Sequence, residues 1–273
     1  MPNSPQMGDV LTAQGLHVTP TDALSTPAWT IVPSADTVVK SADKEMKLDA
    51  EALDQYEEFT TGLHAVLQKY DAAMREMTVR FEILDRDLSL RGNRNPIHHI
   101  ESRIKSPMSI YEKLLRYGKE PTIANIEEHL MDVAGVRVIC SYMKDVESLM
   151  GLLSQQDDLE IVRIKNYIEN PKPNGYRSLH AIVRIPVYFM DSKQMIPVEV
   201  QIRTIAMDYW ASLEHDLKYK AIAETKGIDV AQELKEIGVI IEGIEGRMQV
   251  LANALDKGPK KKKKKKAKDK AKD

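Results

Sequence analysis

Within nine residues, 172–180, the chain gathers Lys172, Gly175, Tyr176, Arg177, Ser178 and His180: two cations, a turn glycine, an aromatic face, a hydroxyl and an imidazole. An apolar run over 181–185 follows at once, so this polar set stands at the mouth of a strand. Upstream, Arg103 and Lys105 alternate with Ile104 and share one side of an extended segment over 100–105. Ser106-Pro107 then supplies an N-cap and a proline at the first helical position, and residues 108–117 read as a helix with Ser109 and Lys113 one turn apart. Two cations ahead of a helix N-terminus make an anion site.

Residues 133–140 read as a buried strand interrupted only by Arg137. A charge in such a run needs a partner or a ligand. Either an internal Asp132–Arg137 ion pair satisfies it, or both side chains point into a cleft at the sheet edge. Residues 161–167 carry Arg163 and Lys165 on one face of a further strand. Residues 197–203 alternate, with Val198, Val200 and Ile202 on one face and Glu199, Gln201 and Arg203 on the other. Taken alone, that strand reads as having a solvated outer face. If these strands share one sheet, the clusters converge on a crevice. Two carboxylates from separate strands among several cations then match a magnesium–nucleotide site, and Tyr176 beside Gly175 suits stacking on a nucleobase. A Walker loop, a Gly-x-Gly-x-x-Gly fingerprint and a Cys-x-x-Cys pair are all missing from the sequence.

The elements that must position these residues follow from periodicity. Residues 1–45 hold five prolines and no sustained pattern, and are expected to be a disordered leader, with Trp29, Ile31 and Val32 as its one apolar spot. Over 44–90, apolar residues at Leu63, Val66, Leu67, Tyr70, Met74 and Met77 predict one or two long amphipathic helices. Short helices are predicted over 122–131 and 144–156, and a strand over 176–188. A helix capped by Thr204 runs to 220, with Ile205, Met207, Trp210, Leu213 and Leu217 available for packing. The last helix, 229–256, has an apolar stripe at Ile237, Ile240, Ile241, Ile244, Met248 and Leu251 that suits either the core or an oligomer seam.

The 273 residues are 42% apolar and 29% charged, enough for one sizeable core. A single cysteine, Cys140, excludes an intrachain disulfide, and no stretch has the length or order of a membrane span or signal peptide. A cytoplasmic protein is expected. Residues 257–273 hold eleven lysines against two aspartates; subtracting that +9 from the overall −2 leaves −11 on residues 1–256. Seven consecutive lysines, 260–266, suit RNA or ribosome contact as well as plain solvation.

Five motifs occur in order: Arg103-Ile-Lys105-Ser-Pro-x-Ser109-x-x-x-Lys113; Asp132-Val-Ala-Gly135-x-Arg137; Lys165-Asn-Tyr167; Lys172-x-Asn174-Gly175-Tyr176-Arg-Ser178-Leu-His180; and Glu199-Val-Gln201-Ile-Arg203-Thr204, continuing through Asp208, Trp210 and Glu214-His215 to Tyr219-Lys220. Together they resemble the synthetase domain of RelA/SpoT-type proteins, and in compact form the small alarmone synthetases, over about residues 50–255. The resemblance implies an α/β, nucleotidyltransferase-like mixed β-sheet flanked by helices over 46–256, with disordered tails at 1–45 and 257–273. It implies Mg2+-dependent transfer of the β,γ-pyrophosphate of ATP to the 3′-hydroxyl of GDP or GTP, in stringent-response signalling. Arg103 and Arg137 would then flank adenine, and Lys105, Ser109 and Lys113 would hold the ATP phosphates. Asp132 would bind metal, and Glu199 would bind metal or take the hydroxyl proton. Tyr176 would stack on guanine, with Lys165, Lys172, His180 and Gln201 around the acceptor and Asp208 on the guanine side.

Asn166 stands where many relatives carry an acid, and Asp208 where close relatives carry an amide. His98-His99 lies where some tetrameric members have an aromatic in an allosteric cleft. The hydrolase domain of the long members is not in this sequence, so synthesis without hydrolysis is expected, as is a homotetramer using the flanking helices. The competing reading is a catalytically silent protein that binds nucleotide, alarmone or RNA.

Overall fold

The computed structural model describes residues 39–40, 45–46, 50–91, 94–221 and 229–256. The leader's apolar spot and the lysine tail lie outside the described residues. At the start, β1 (Val39–Lys40) and β2 (Glu45–Met46) pair antiparallel. A single helix, α1 (Ala50–Arg91), then runs for 42 residues. Leu63, Val66, Tyr70, Ala73, Met77 and Phe81 recur every three or four residues along it and are buried. This stripe lies across the main sheet, where α1 meets β3, β4, β6 and β7.

The remaining elements are β3 (Ile97–Ile104), α2 (Pro107–Arg116), α3 (Ile123–His129), β4 (Ala134–Cys140), α4 (Met143–Ser154), β5 (Glu160–Asn166), β6 (Leu179–Tyr188), β7 (Lys193–Thr204), α5 (Ile205–Ala221) and α6 (Val230–Asp256). Five strands form one mixed sheet in the order β3-β4-β7-β6-β5. Only β4 and β7 run parallel; α4, β5 and β6 lie between them in the chain and supply the long crossover that a parallel pair requires. The mixed α/β architecture is as expected. Three strands differ from their predicted bounds; β7 starts at Lys193 rather than 197, continuing its ladder with β6. β3 starts earlier and takes in His98 and His99, and β6 starts later, because residues 172–178 fold into a turn before the ladder begins.

The largest buried cluster joins α1, α2 and α4 to one face of the sheet. The other face carries the polar rows. Cross-strand partners share a face, so the register lines up Arg103, Gly135, Glu199, Ile182 and Arg163 in one row. Glu101, Arg137, Gln201, His180 and Lys165 form the next row.

At the end of this face α5 and α6 pack together. Thr204 caps α5 as expected, its Oγ1 accepting from the Met207 amide at 3.1 Å. Met207 and Trp210 are buried, whereas Ile205, Leu213 and Leu217 are exposed. Of the two roles read for the α6 stripe, packing on the core is not the one observed. Its apolar stripe at Ile237, Ile240, Ile244, Met248 and Leu251 is exposed, while Leu234, Glu245 and Ala252 are buried. Glu245 accounts for the choice of face: it accepts from Arg177 Nη1 at 2.8 Å and from the Thr204 hydroxyl, so a buried ion pair rather than an oily seam fixes the helix. Among the described residues no helix is long and apolar enough to cross a membrane.

Candidate functional site

The polar rows open into two clefts. The first, about 180 Å³, is lined by Arg103, Lys105, Asp132, Gly135 and Arg137 from β3, β4 and their flanks. The second, about 430 Å³, is lined by Arg163, Lys165, Tyr167, Lys172, Tyr176 and His180 from β5, β6 and the loop between them. Glu199 and Gln201 line both. The solvated outer face read for β7 is therefore overturned: its polar residues form the wall common to two clefts, and Arg203 is buried behind them.

In the first cleft, β3 delivers Arg103 and Lys105, and the capped start of α2 turns the chain toward Asp132. Ser106 Oγ accepts from the Ser109 amide at 3.3 Å and donates to Ser109 Oγ at 2.9 Å. One helical turn later Lys113 projects beside Lys105, and both ammonium groups donate to Asp132 Oδ2, at 2.5 and 2.9 Å. Asp132 Oδ1 is buried without a partner. Burial opposes ionisation of Asp132, but Lys105 and Lys113 outweigh it and hold the carboxyl below its ordinary value. Of the two readings of Asp132 and Arg137, the cleft is the one observed. Arg137 Nη1 pairs instead with Glu101 at 3.0 Å and lies 3.6 Å from Asp208. Gly135 lies in its row between Arg103 and Glu199, where the missing side chain leaves the floor open.

In the second cleft the loop over 172–178 closes on itself. The Gly175 amide donates to Lys172 O at 2.8 Å, the Lys172 amide to Tyr176 O at 3.1 Å, and the Tyr176 amide to Asn174 Oδ1 at 3.2 Å. Gly175 has φ +90°, and a Cβ there would lie 3.1 Å from Lys235 Cα on α6. The expectation that this glycine admits a nucleobase is thus corrected: it admits the backbone of α6, where Gly238 makes the matching close approach. Lys172 Nζ sits 4.9 and 4.7 Å from the ring centres of Tyr167 and Tyr176. Arg163 and Lys165 have no carboxylate partner among the described residues.

A closed ring of hydrogen bonds backs this cleft. Arg203 Nη2 donates to Tyr176 Oη at 2.7 Å and to Gln201 Oε1 at 2.9 Å, and Gln201 Nε2 donates to Glu199 Oε2 at 2.9 Å. His180 links the remaining pair, with Nδ1 3.2 Å from Glu199 Oε1 and Nε2 2.8 Å from Tyr176 Oη. Ionised Glu199 can only accept, so His180 donates to it from Nδ1, and Tyr176 Oη, which accepts from Arg203, completes the ring with His180 Nε2. Burial raises the Glu199 pKa, but the His180 hydrogen bond and charge and the Gln201 amide prevail, so the net shift is downward.

Most of the residues singled out from sequence line one cleft or both. Lys113 adjoins the first through Asp132, whereas Ser109 lines neither and bonds to Ser106. Asp208 lines neither; it lies between Arg137 and Arg203. Two lining residues carry no role in the sequence reading: Glu101, which continues the alternation of Arg103 and Lys105, and Glu214, quoted there only within the last motif, whose carboxylate accepts from Asn174 Nδ2 at 2.9 Å.

A family profile described as a region found in RelA / SpoT proteins matches residues 102–224. The GTP pyrophosphokinase YwaC of Bacillus subtilis is 42% identical over 187 residues, spanning 68% of this chain and 89% of that protein. GTP pyrophosphokinase YjbM of the same organism is 33% identical over 154 residues, 56% of this chain and 72% of its own. The crystal structure of small alarmone synthetase 2 from B. subtilis superposes with a TM-score of 0.62 at 40% identity, covering 70% of this chain and 97% of that one. Small alarmone synthetase 1 from B. subtilis, bound to its product pppGpp, gives 0.64 at 27% identity over 73% and 98%. The chain belongs to the RelA/SpoT family and stands among its small alarmone synthetases.

Proposed function

We propose that this protein transfers the β,γ-pyrophosphoryl group of ATP to the ribose 3′-hydroxyl of GDP or GTP. The observation that carries the reading is the meeting of two clefts at one carboxylate, Glu199. A transfer between two nucleotides needs two binding compartments with the reacting groups at their junction. The relatives named as GTP pyrophosphokinases support the same chemistry.

In this reading the first cleft takes ATP. Arg103 and Arg137 present guanidinium planes to adenine. Each ammonium of Lys105 and Lys113 keeps donors beyond the one given to Asp132, and these, with the Ser109 hydroxyl, bind phosphate oxygens. The donor set also suits a hard divalent cation: Asp132 Oδ1 is buried and unpartnered, and Glu199 feels the Asp132 charge as repulsion. No group of three or more His, Cys, Asp or Glu able to hold a metal occurs among the described residues, so phosphates and water would complete the shell, as Mg2+ prefers. When bound, Mg2+ neutralises the phosphate charge that grows during transfer.

The second cleft takes the acceptor. Tyr176 stacks on guanine once Lys172 swings from its face to the phosphates, joining Lys165. His180 and Gln201 hold Glu199 in place beside the ribose. The 3′-oxygen bonds to the β-phosphorus, the bond from that phosphorus to the α-phosphate oxygen breaks, AMP leaves, and the hydroxyl proton passes to Glu199. Its depressed pKa keeps Glu199 ionised at neutral pH, so it accepts the proton as the new bond raises the acidity of the hydroxyl.

The exposed stripe on α6 supports a homo-oligomer, which sedimentation of the full chain tests directly. For the reaction itself, protein with ATP, Mg2+ and GDP or GTP should yield equal amounts of AMP and a 3′-pyrophosphorylated guanosine nucleotide. No such product with either acceptor sinks the reading.

A further inference from the structure

Arg203 occupies the next same-face position of β7 after Glu199 and Gln201, yet it lines neither cleft and is 5% exposed. A guanidinium buried to this extent is costly unless its hydrogens are taken up. Nη1 donates to Asp208 Oδ1 at 3.2 Å, and that carboxylate is its one ion-pair partner among the described residues. Nη2 donates to Tyr176 Oη and Gln201 Oε1, and the guanidinium carbon lies 5.2 Å from the Tyr176 ring centre. Nε has no partner. A buried charge is thus spread over one acid and two cleft residues from different segments, the 172–178 loop and β7. An apolar side chain would serve packing at least as well; it would not orient a tyrosine hydroxyl and an amide together.

We infer that Arg203 is a positioning residue for the transfer, fixing the Tyr176 ring and the Gln201 amide against the acceptor nucleotide, with Asp208 orienting its guanidinium. The inference rests on the larger cleft being the acceptor site. It also assigns Asp208 a place behind that cleft rather than in it. Lysine cannot replace the fork, because a single ammonium cannot span Asp208, Tyr176 and Gln201 in fixed geometry.

The test is a double-mutant cycle on the full chain with Arg203→Lys and Tyr176→Phe, reading GDP binding by calorimetry, KM for each substrate, and thermal midpoint. Arg203→Lys should weaken GDP binding and raise the acceptor KM about tenfold, with the ATP KM within about twofold. In the Tyr176→Phe background the same change should lose at least about threefold less, because the shared hydroxyl is already gone. Asp208→Asn, which keeps shape but removes the charge and one acceptor oxygen, should raise the acceptor KM more weakly, with a smaller ATP-side change through Arg137, and keeps the test open if Arg203→Lys fails to fold. Additive losses in the cycle, or equal rises in both KM values that track the thermal midpoint, overturn the positioning role while leaving the proposed function intact. A wild-type protein that binds no guanine nucleotide overturns both.

Discussion

The two clefts share one wall but are held in opposite ways. On the side proposed for ATP, Lys105 and Lys113 share the one carboxylate of Asp132, and the lysines are placed by a strand, a helix cap and one helical turn that are near neighbours in sequence. On the side proposed for the acceptor, Arg163 and Lys165 lack carboxylate partners among the described residues, and the loop is braced from behind by α5 and α6, which follow later in the chain. Trp210 Nε1 donates to Leu234 O at 2.9 Å, joining the two braces, and Arg177–Glu245 pins the loop's exit to α6. The proposed ATP cleft thus takes its lysines from one local segment and pairs both with Asp132; the proposed acceptor cleft leans on long-range contacts, and its Arg163 and Lys165 stay unpaired with any carboxylate among the described residues.

Asp132→Ala should have the largest effect. It removes the unpartnered oxygen and releases two lysines, so turnover should fall about 10²- to 10³-fold, more than the ATP KM changes, as steady-state kinetics would show. Tyr176→Ala should instead raise the acceptor KM about 5- to 100-fold, the range for losing one stacked base, and leave the ATP KM within about twofold. Equal effects on both substrates would erase the division between the clefts.

Gly238→Val probes the brace without touching either cleft. Its Cβ would stand 3.2 Å from Gly175 O, so the loop must shift; a several-fold rise in acceptor KM and a midpoint lower by a few degrees are expected. The smallest effect concerns pH. The folded pKa of Asp132 is depressed, so its stabilisation is complete above the ordinary carboxylate range and is lost as pH falls through the folded value. Denaturant melts in chelator should therefore show wild type losing more stability than Asp132→Asn on acidification below that range.

The same contrast explains what the sequence disclosed. Ser106-Pro107, the alternation of Arg103 with Lys105, and the interrupted run around Arg137 are local signals, and the first cleft lies where they point. Glu199, Gln201 and Arg203 have a pattern that, taken alone, reads as a solvated face; only the pairing of β7 with both β4 and β6 makes it a cleft wall. The brace was harder to see. α6 turns an exposed row of Ile and Met outward and buries Leu234, Gly238 and Glu245, because the glycine pair and the Arg177–Glu245 ion pair outweigh helical hydrophobicity. Gly175 carried a true signal of close approach, but its partner was a helix 60 residues on rather than a ligand.

Glu199 is the point where the two designs meet, and Glu199→Gln isolates it. The amide keeps the size and one acceptor oxygen while removing the charge and the proton acceptor. Binding of ATP and of GDP by this variant, measured beside single-turnover formation of AMP, is the most direct test. Both nucleotides should bind within about threefold of wild type while turnover drops by about 10²- to 10⁴-fold. Turnover within tenfold of wild type would contradict the account.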